Sequence, residues 1–216
     1  MSVGKSGIVL TFLALSCAAG QFRYSAGAGL AVVFPAPDME QFNSTLSDSG
    51  LNEVSPFWVP TAVAISVQAY PSLRLGYLRY SNLLLKNRSS ENWALTISMV
   101  GLSVESFFSF LKRFEANFGF SPMLAKADFS QTETTAQGSP FGPSSSAGIQ
   151  HRSMAYVSWV GLRFYLNSLV ALEATTGYLN LTFKGDGWKS EGQETAIQGK
   201  IDMSRPMLAF GIVVGW

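Results

Sequence analysis

The sequence is poor in three features on which many proteins depend. It contains one cysteine and one histidine, and charged residues make up only 13% of the chain, about half of their usual share in a soluble domain. After residue 20, no stretch approaches the roughly 18 apolar residues that a membrane-spanning helix needs. These absences argue against a disulfide framework, an ordinary soluble surface and helical membrane spans beyond that point.

Basic runs and chemistry-bearing motifs are also lacking. The net charge is +1 and the basic residues are scattered, so nucleic acid is not an expected partner. The sequence has no phosphate-binding glycine loop, dinucleotide motif or metal-ligand cluster. We therefore expect no cofactor and no metal site.

The first 20 residues have the composition of a secretory signal peptide. Lys5 precedes the apolar run at 7–15, and small residues end the segment. We expect cleavage before residue 21, which leaves 21–216 as one domain outside the cytoplasm. The only cysteine, Cys17, lies inside the removed segment.

Eight segments of the remaining chain have the alternating composition of β-strands. Of the connections between them, the odd ones are longer and more polar, and the even ones are tight turns. In an up-and-down meander this arrangement places all the long connections at one end of the sheet. The predicted strands run over residues 22–34, 57–69, 73–84, 93–108, 114–129, 154–165, 169–183 and 201–216.

The two faces of these segments differ in size as well as in polarity. Phe114, Phe118 and Phe120 share one side of their segment, while Glu115 and Gly119 share the other. An eight-stranded barrel is just wide enough for side chains to fill its interior, so the small polar face belongs inside. The large apolar face then points outward, where lipid stabilises it. The sequence therefore predicts an all-β fold, an eight-stranded antiparallel up-and-down transmembrane β-barrel.

The alternation breaks at two places in this pattern. The large apolar residues change from one face of the strand to the other over Met99–Leu102 and again near Leu179–Leu181. A β-bulge at Gly101 would explain the first break. Strands that extend beyond the bilayer would explain either one.

These features together resemble the small eight-stranded outer-membrane barrels of Gram-negative bacteria, the OmpA membrane domain, OmpX and OmpW-like group. The stretches "YSAGAGLAVVF", "GLRFYLNSLVALEATTGYL" and "IDMSRPMLAFGIVVGW" carry the resemblance. It implies that the terminal face is a signal for the barrel-assembly machinery, with Trp216 in place of the commoner phenylalanine. An interfacial belt residue would suit the same position. The face consists of Phe210, Ile212, Val214 and Trp216.

Six charged residues fall on the predicted inner face, three of each sign. Because an unpaired buried charge costs several kcal/mol, we expect them to pair and to fill the barrel near its short-turn end. A gated polar path or a proton relay is the alternative. The predicted lumen network consists of Arg23, Arg74, Glu105, Glu115, Arg163 and Glu173.

The single histidine offers the only catalytic candidate. His151 and Ser153 are two residues apart and so share a strand face, where the imidazole could activate the hydroxyl. This pair is similar to the His-x-Ser pair of outer-membrane lipid A deacylases. Such a pair needs an orienting carboxylate within reach, and Glu173 is expected near the opposite end of the barrel. A polar residue at the foot of an outer loop is the favoured interpretation of His151.

The functional expectation is an integral outer-membrane barrel without catalysis, with a structural or surface-interaction role in the cell envelope. Its expected partners are outer-membrane lipid and, during biogenesis, the barrel-assembly machinery; the sequence does not identify an external ligand. The OmpW-like resemblance implies a narrow channel for small apolar solutes as the alternative. A lipid A deacylase-type hydrolase using His151 and Ser153 is the least favoured candidate.

Overall fold

Strands dominate the computed structural model, which describes residues 22–82, 87–90, 93–131, 148–190, 193–194 and 198–216. The predicted signal peptide therefore lies outside the described residues. The single α-helix of the described part has nine residues, and no helix there is long and apolar enough to cross a membrane. The elements are β1 (Tyr24–Val33), α1 (Glu40–Asp48), β2 (Thr61–Tyr70), β3 (Leu73–Ser81), β4 (Asn87–Ser90), β5 (Trp93–Leu111), β6 (Phe114–Gln131), β7 (Gly148–Tyr165), β8 (Val170–Phe183), β9 (Lys189–Ser190), β10 (Gln193–Glu194), β11 (Ile201–Asp202) and β12 (Arg205–Gly215).

Eight of these strands close into a ring. Going round the barrel, the order is β1, β2, β3, β5, β6, β7, β8 and β12, with β12 paired to β1. Every neighbouring pair is antiparallel. The predicted eight-stranded antiparallel up-and-down barrel is therefore confirmed. β7 begins at Gly148, six residues before the predicted start at Met154.

The outer wall carries the large apolar face, as the alternation predicts. Exposed large residues lie on every strand of the ring, and Phe210, Leu102 and Leu124 are each about two-thirds exposed. Phe22 is an exception, because the sequence places it on this outer face. It is instead buried, and its ring packs edge-on against Tyr165 with 5.1 Å between the ring centres.

The interior has two different halves. Near the short turns, small and charged residues line it. Toward the long connections the inner face becomes large and apolar, so the prediction of a polar interior is wrong in that half. The buried side chains there include Leu95, Ile97, Met99, Met123, Phe129, Val157, Leu179, Leu181 and Phe183.

This change of lining explains the break in the alternation. Gly101 pairs with Met123 and Val104 with Phe120, so the register of β5 and β6 continues without a shift through this region. The bulge proposed at Gly101 is therefore absent. Instead Met99 points inward and Leu102 outward, and the wall is apolar on both faces.

The first long connection closes the barrel at the end opposite the short turns. We call this structure the cap and define it as residues 39–58 together with Trp188 and Gly199. Its inward side chains are fully buried and join the apolar interior of the barrel. Phe42 and Leu46 are four residues apart and therefore lie on one side of α1. The inward side chains are those of Met39, Phe42, Leu46, Val54 and Trp58.

Contacts between the first and the last connection of the barrel hold the cap together. The ring of Phe42 stacks on Trp188 with 4.8 Å between the ring centres, and Trp188 Nε1 donates a hydrogen bond to the carbonyl of Gly199 at 2.8 Å. A side chain at Gly199 would collide with the backbone of Phe42, so this glycine permits a close approach. Thr45 Oγ1 also donates to the carbonyl of Gln198. The first and last connections of the barrel are thus joined across its mouth.

Candidate functional site

Five charged side chains meet inside the barrel near the short-turn end. We call them the ion-pair cluster; one comes from each of β3, β5, β6, β7 and β8. Strand pairing brings them together, because Arg74 lies opposite Glu105 and Arg163 lies between Glu115 and Glu173 on its two neighbouring strands. The cluster consists of Arg74, Glu105, Glu115, Arg163 and Glu173.

Arg74 and Glu115 form the buried centre of the cluster. The two guanidinium Nη atoms of Arg74 each donate to one oxygen of Glu115 at 2.6 Å, the bidentate arrangement that makes such pairs strong. Arg74 Nη1 also donates to Glu105 Oε1 at 2.7 Å. The guanidinium of Arg74 lies 3.7 Å from the ring centre of Phe107, so an aromatic face covers it as well.

Arg163 links the remaining carboxylates. Its Nη2 donates to Glu173 Oε1 at 2.7 Å and lies 3.8 Å from Glu105 Oε1. Its Nη1 lies 3.5 Å from Glu115 Oε1. The cluster is therefore one connected network rather than separate pairs.

Two neutral residues that were not predicted as site residues complete this network. The Tyr165 hydroxyl donates to Glu115 Oε2 at 2.8 Å, and Asn117 Nδ2 donates to Glu173 Oε1 at 2.8 Å. The signal for both is their spacing, since Asn117 follows Glu115 by two residues and Tyr165 follows Arg163 by two. Residues two apart on a strand share a face.

Arg23 is not part of the cluster. The sequence places it on the inner face, but it precedes the first residue of β1 and its side chain is exposed. Its guanidinium lies 5.8 Å from the ring centre of Tyr24. The prediction used the alternation of faces along a strand, which does not apply to Arg23 because this residue lies before β1.

A cavity of about 100 Å³ lies between the ion-pair cluster and the apolar half of the interior. Tyr80 and Trp159 line it on the side of the apolar core, and Glu105 and Glu173 on the side of the cluster. Small residues of β1, β2 and β12 form much of the remaining wall. They include Ser25, Gly27, Ala62, Ala64, Ser66, Ala209 and Gly211.

Gly119 gives the Trp159 indole its position, which leads to a testable prediction. A β-carbon at Gly119 would overlap this ring. We expect Gly119→Ala to displace the indole and to lower the free energy of unfolding by about 1–3 kcal/mol, measured by urea titration in detergent micelles. Gly185→Ala is the matched control, because its new methyl would meet no atom closer than 3.7 Å. Equal stability of the two variants would contradict the prediction.

His151 and Ser153 each bind backbone carbonyls. The His151 ring nitrogens lie 3.0 Å from the carbonyl oxygen of Arg152 and 2.8 Å from that of Lys184, and the ring packs edge-on against Trp188. Ser153 Oγ donates to the carbonyl of Thr182 at 2.7 Å. The two side chains thus brace the wall beside the cap and are not in a nucleophile and base arrangement.

The terminal face that resembles an assembly signal lies on the outside of the barrel. Phe210, Ile212, Val214 and Trp216 are all exposed. The backbone of Trp216 exchanges two hydrogen bonds with Tyr24, at 3.0 and 3.1 Å, and the two rings stack with 6.3 Å between their centres. This contact closes the ring between β12 and β1.

Comparisons with known proteins identify the fold. No family model and no curated protein sequence matches the chain. The structure is similar to neisserial surface protein A, with a TM-score of 0.52 and 13% identity over 89% of this chain and 97% of that one.

Two further solved structures are similar at lower scores. They are the attachment invasion locus protein Ail of Yersinia pestis, in complex with the heparin analogue sucrose octasulfate (TM-score 0.48, 12% identity, 89% and 97% covered), and the N-terminal β-barrel domain of Pseudomonas aeruginosa OprF (0.45, 8%, 90% and 98%). At such identities the likeness to neisserial surface protein A concerns the fold alone.

Proposed function

We propose that this chain is an integral barrel of the bacterial outer membrane with a structural role in the cell envelope, and that its interior is closed and non-catalytic. The observation that carries the proposal is the closure of the barrel at both ends. The ion-pair cluster crosses the interior in the short-turn half, and the cap covers the apolar half at the other end. A barrel closed in this way contributes its wall and its external connections rather than a pore.

The outward face supports the membrane location. Large apolar side chains are exposed on every strand of the ring, and a closed barrel leaves no unpaired strand edge in hydrocarbon. Outer-membrane lipid is therefore the proposed partner of the wall. Insertion would need export directed by the cleaved signal peptide and delivery to the barrel-assembly machinery. The exposed face ending at Trp216 is the proposed signal for that machinery.

A narrow channel for small apolar solutes is the second candidate. The apolar lining of the outer half favours it, because such a lining would accept an apolar solute. Phe42, Leu46 and Trp58 already fill that space, so passage would require the cap to leave. The channel is therefore a weaker proposal than the closed barrel.

The hydrolase is the weakest candidate. The Ser153 hydroxyl proton is directed at the Thr182 carbonyl, and the His151 ring nitrogens lie against two other carbonyls. Activation of Ser153 would require His151 to break these contacts. Glu173, the carboxylate considered for such a site, lies in the ion-pair cluster instead.

Two measurements on the mature protein test the proposal. We expect its gel mobility in an outer-membrane fraction to change on boiling, as for a detergent-resistant barrel, and its incorporation into a planar lipid bilayer to give no stable conductance steps in potassium chloride. The closed interior predicts the second result. An unchanged mobility together with a soluble periplasmic protein would overturn the membrane location, whereas regular conductance steps would overturn the closed interior.

A further inference from the structure

Two basic side chains lie directly opposite each other on the outer face of the wall. Lys126 of β6 is paired with Arg152 of β7. Their neighbours two residues away, Leu124 and Met154, are exposed on the outer wall, so both basic residues share that face. Like charges that face each other on neighbouring strands are destabilising. An anion bound between the two groups would replace this repulsion with attraction.

The charges of this outward group do not balance. Lys126 Nζ forms an ion pair with Asp128 Oδ2 at 2.9 Å. The exposed Arg152 guanidinium makes no hydrogen bond or ion pair with the residues that the structure describes, and only the backbone carbonyl of Arg152 is bonded, to His151. Ser98, which is paired with Lys126 on the side of β5, is neutral. Two positive groups and one negative group therefore leave an excess positive charge on β6 and β7, and the unpaired guanidinium carries it.

The position of the two basic residues along their strands fixes their depth in the membrane. The outward residues of β6 over 114–124 and of β7 over 154–164 are all uncharged. Ten residues at about 3.4 Å each, on strands tilted by about 40°, rise about 26 Å, close to the apolar band of an outer-membrane barrel at about 25 Å. Lys126 and Arg152 are the next outward residues. They therefore lie at the edge of this band, at the depth of the lipid headgroups.

The surroundings of the two basic residues suit a phosphorylated lipid. β6 and β7 are joined on this side by the long connection of residues 132–147, and long connections are external in outer-membrane barrels, so the basic residues face the outer leaflet. A guanidinium binds phosphate oxygens through two parallel N–H bonds. On the membrane side of them, Leu124 and Met154 are exposed, and the exposed rings of Phe120 and Tyr156 stack with 6.1 Å between their centres. This apolar surface would accept an acyl chain.

We propose that Lys126 and Arg152 bind the phosphate group of a phosphorylated lipid in the outer leaflet. The Arg152 guanidinium donates to the phosphate oxygens, and the Lys126 ammonium supplies the second positive charge. An acyl chain of the same lipid packs against Leu124 and the stacked rings of Phe120 and Tyr156. The site rests on the proposed membrane location and deepens it, because it names the class of lipid that the wall recognises.

Diphosphoryl lipid A is the probe for the test. The mature, refolded barrel in detergent micelles is titrated with this lipid, and native mass spectrometry counts the lipid molecules that the folded protein retains. We expect one molecule to bind about tenfold more tightly than the fully dephosphorylated lipid, the effect of one charge-assisted hydrogen bond. Equal affinity for the two lipids would overturn the proposal. Displacement of the lipid by an equal concentration of inorganic phosphate would indicate a site for the free ion and would overturn the assignment to a lipid.

Matched variants locate the binding. Arg152→Gln should weaken the binding of diphosphoryl lipid A about tenfold, whereas Asp128→Asn should strengthen it, because it releases Lys126 from its ion pair. Arg113→Gln removes the same charge from the exposed turn between β5 and β6, at the other end of the barrel, and should leave the dissociation constant unchanged. Equal binding by Arg152→Gln and Arg113→Gln would overturn the site.

The heat-dependent gel mobility of each variant separates this proposal from that of the membrane barrel. All these substitutions replace side chains on the outside of the wall, so we expect each variant to keep the mobility shift of the wild type. A variant set that keeps the shift but shows no difference in lipid binding would contradict the lipid site alone. Absence of the shift in the wild type would contradict the membrane barrel and with it the lipid site.

Discussion

Replacing Arg74 with methionine is expected to lower the free energy of unfolding of the barrel by about 3–5 kcal/mol, the usual cost of removing one partner of a buried ion pair. Arg74 makes three short hydrogen bonds, two to Glu115 and one to Glu105. Without it, Glu115 is left in the interior with the Tyr165 hydroxyl and the more distant Arg163. Urea titration in detergent micelles, read from the gel mobility of the folded form, measures the loss.

Two further variants separate charge from geometry at this position. Arg113→Met removes an exposed arginine in the turn between β5 and β6 and should change stability by less than about 0.5 kcal/mol. Arg74→Lys keeps the charge but lacks the planar fork that binds Glu115 at both oxygens, so its stability should fall between those of Arg74→Met and wild type. If Arg74→Met were as stable as Arg113→Met, the ion-pair cluster would contribute nothing to the fold.

The second large effect is expected from Phe42→Ala in the cap. Phe42 is fully buried and lies between Trp188 and Phe129, with ring centres at 4.8 and 5.7 Å. Truncation of a buried phenylalanine costs about 3–5 kcal/mol. Because the strands of the ring keep their hydrogen bonds, we expect the cap to loosen while the barrel remains folded. Limited proteolysis should then cut within residues 34–60 on the order of a hundredfold faster than in wild type.

Ser44→Ala provides the comparison within the same helix. Ser44 lies on α1 but is exposed, so its replacement should leave the cleavage rate within about twofold of wild type. The heat-dependent gel mobility should be retained in both variants. Equal cleavage of Phe42→Ala and wild type would mean that Phe42 does not hold the cap, and loss of the mobility shift in Phe42→Ala would mean that the cap and the ring unfold together.

The fold was predictable because the side chains of a barrel strand alternate between the outer and the inner face with a period of two residues. The alternation of Phe118 and Phe120 with Asn117 and Gly119 is enough to assign the faces, and antiparallel pairing then brings Glu115 beside Arg163. Five of the six predicted lumen charges meet for this reason. Arg23 does not, because the period applies only inside a strand.

The cap was not predictable by the same reasoning. Residues 35–56 contain many polar residues, and the sequence predicts a polar connection there. Their apolar residues Met39, Phe42 and Leu46 follow a helical spacing, but a helix of nine residues is only marginally stable by itself. Its position depends on Trp188 and Gly199, more than 140 residues further along the sequence. A local pattern contains no information about that contact.

The closed ring of strands and the cap also differ in mechanical character. Each of its eight strands is hydrogen-bonded on both sides, so opening one strand breaks two ladders at once, and the wall has no edge from which to fray. The cap is joined to the wall mainly by side-chain packing, and the N-cap residue of α1, Met39, makes no side-chain hydrogen bond. We therefore expect local opening to be concentrated in the cap, so that the backbone amides of α1 exchange with solvent while those of the strands stay protected.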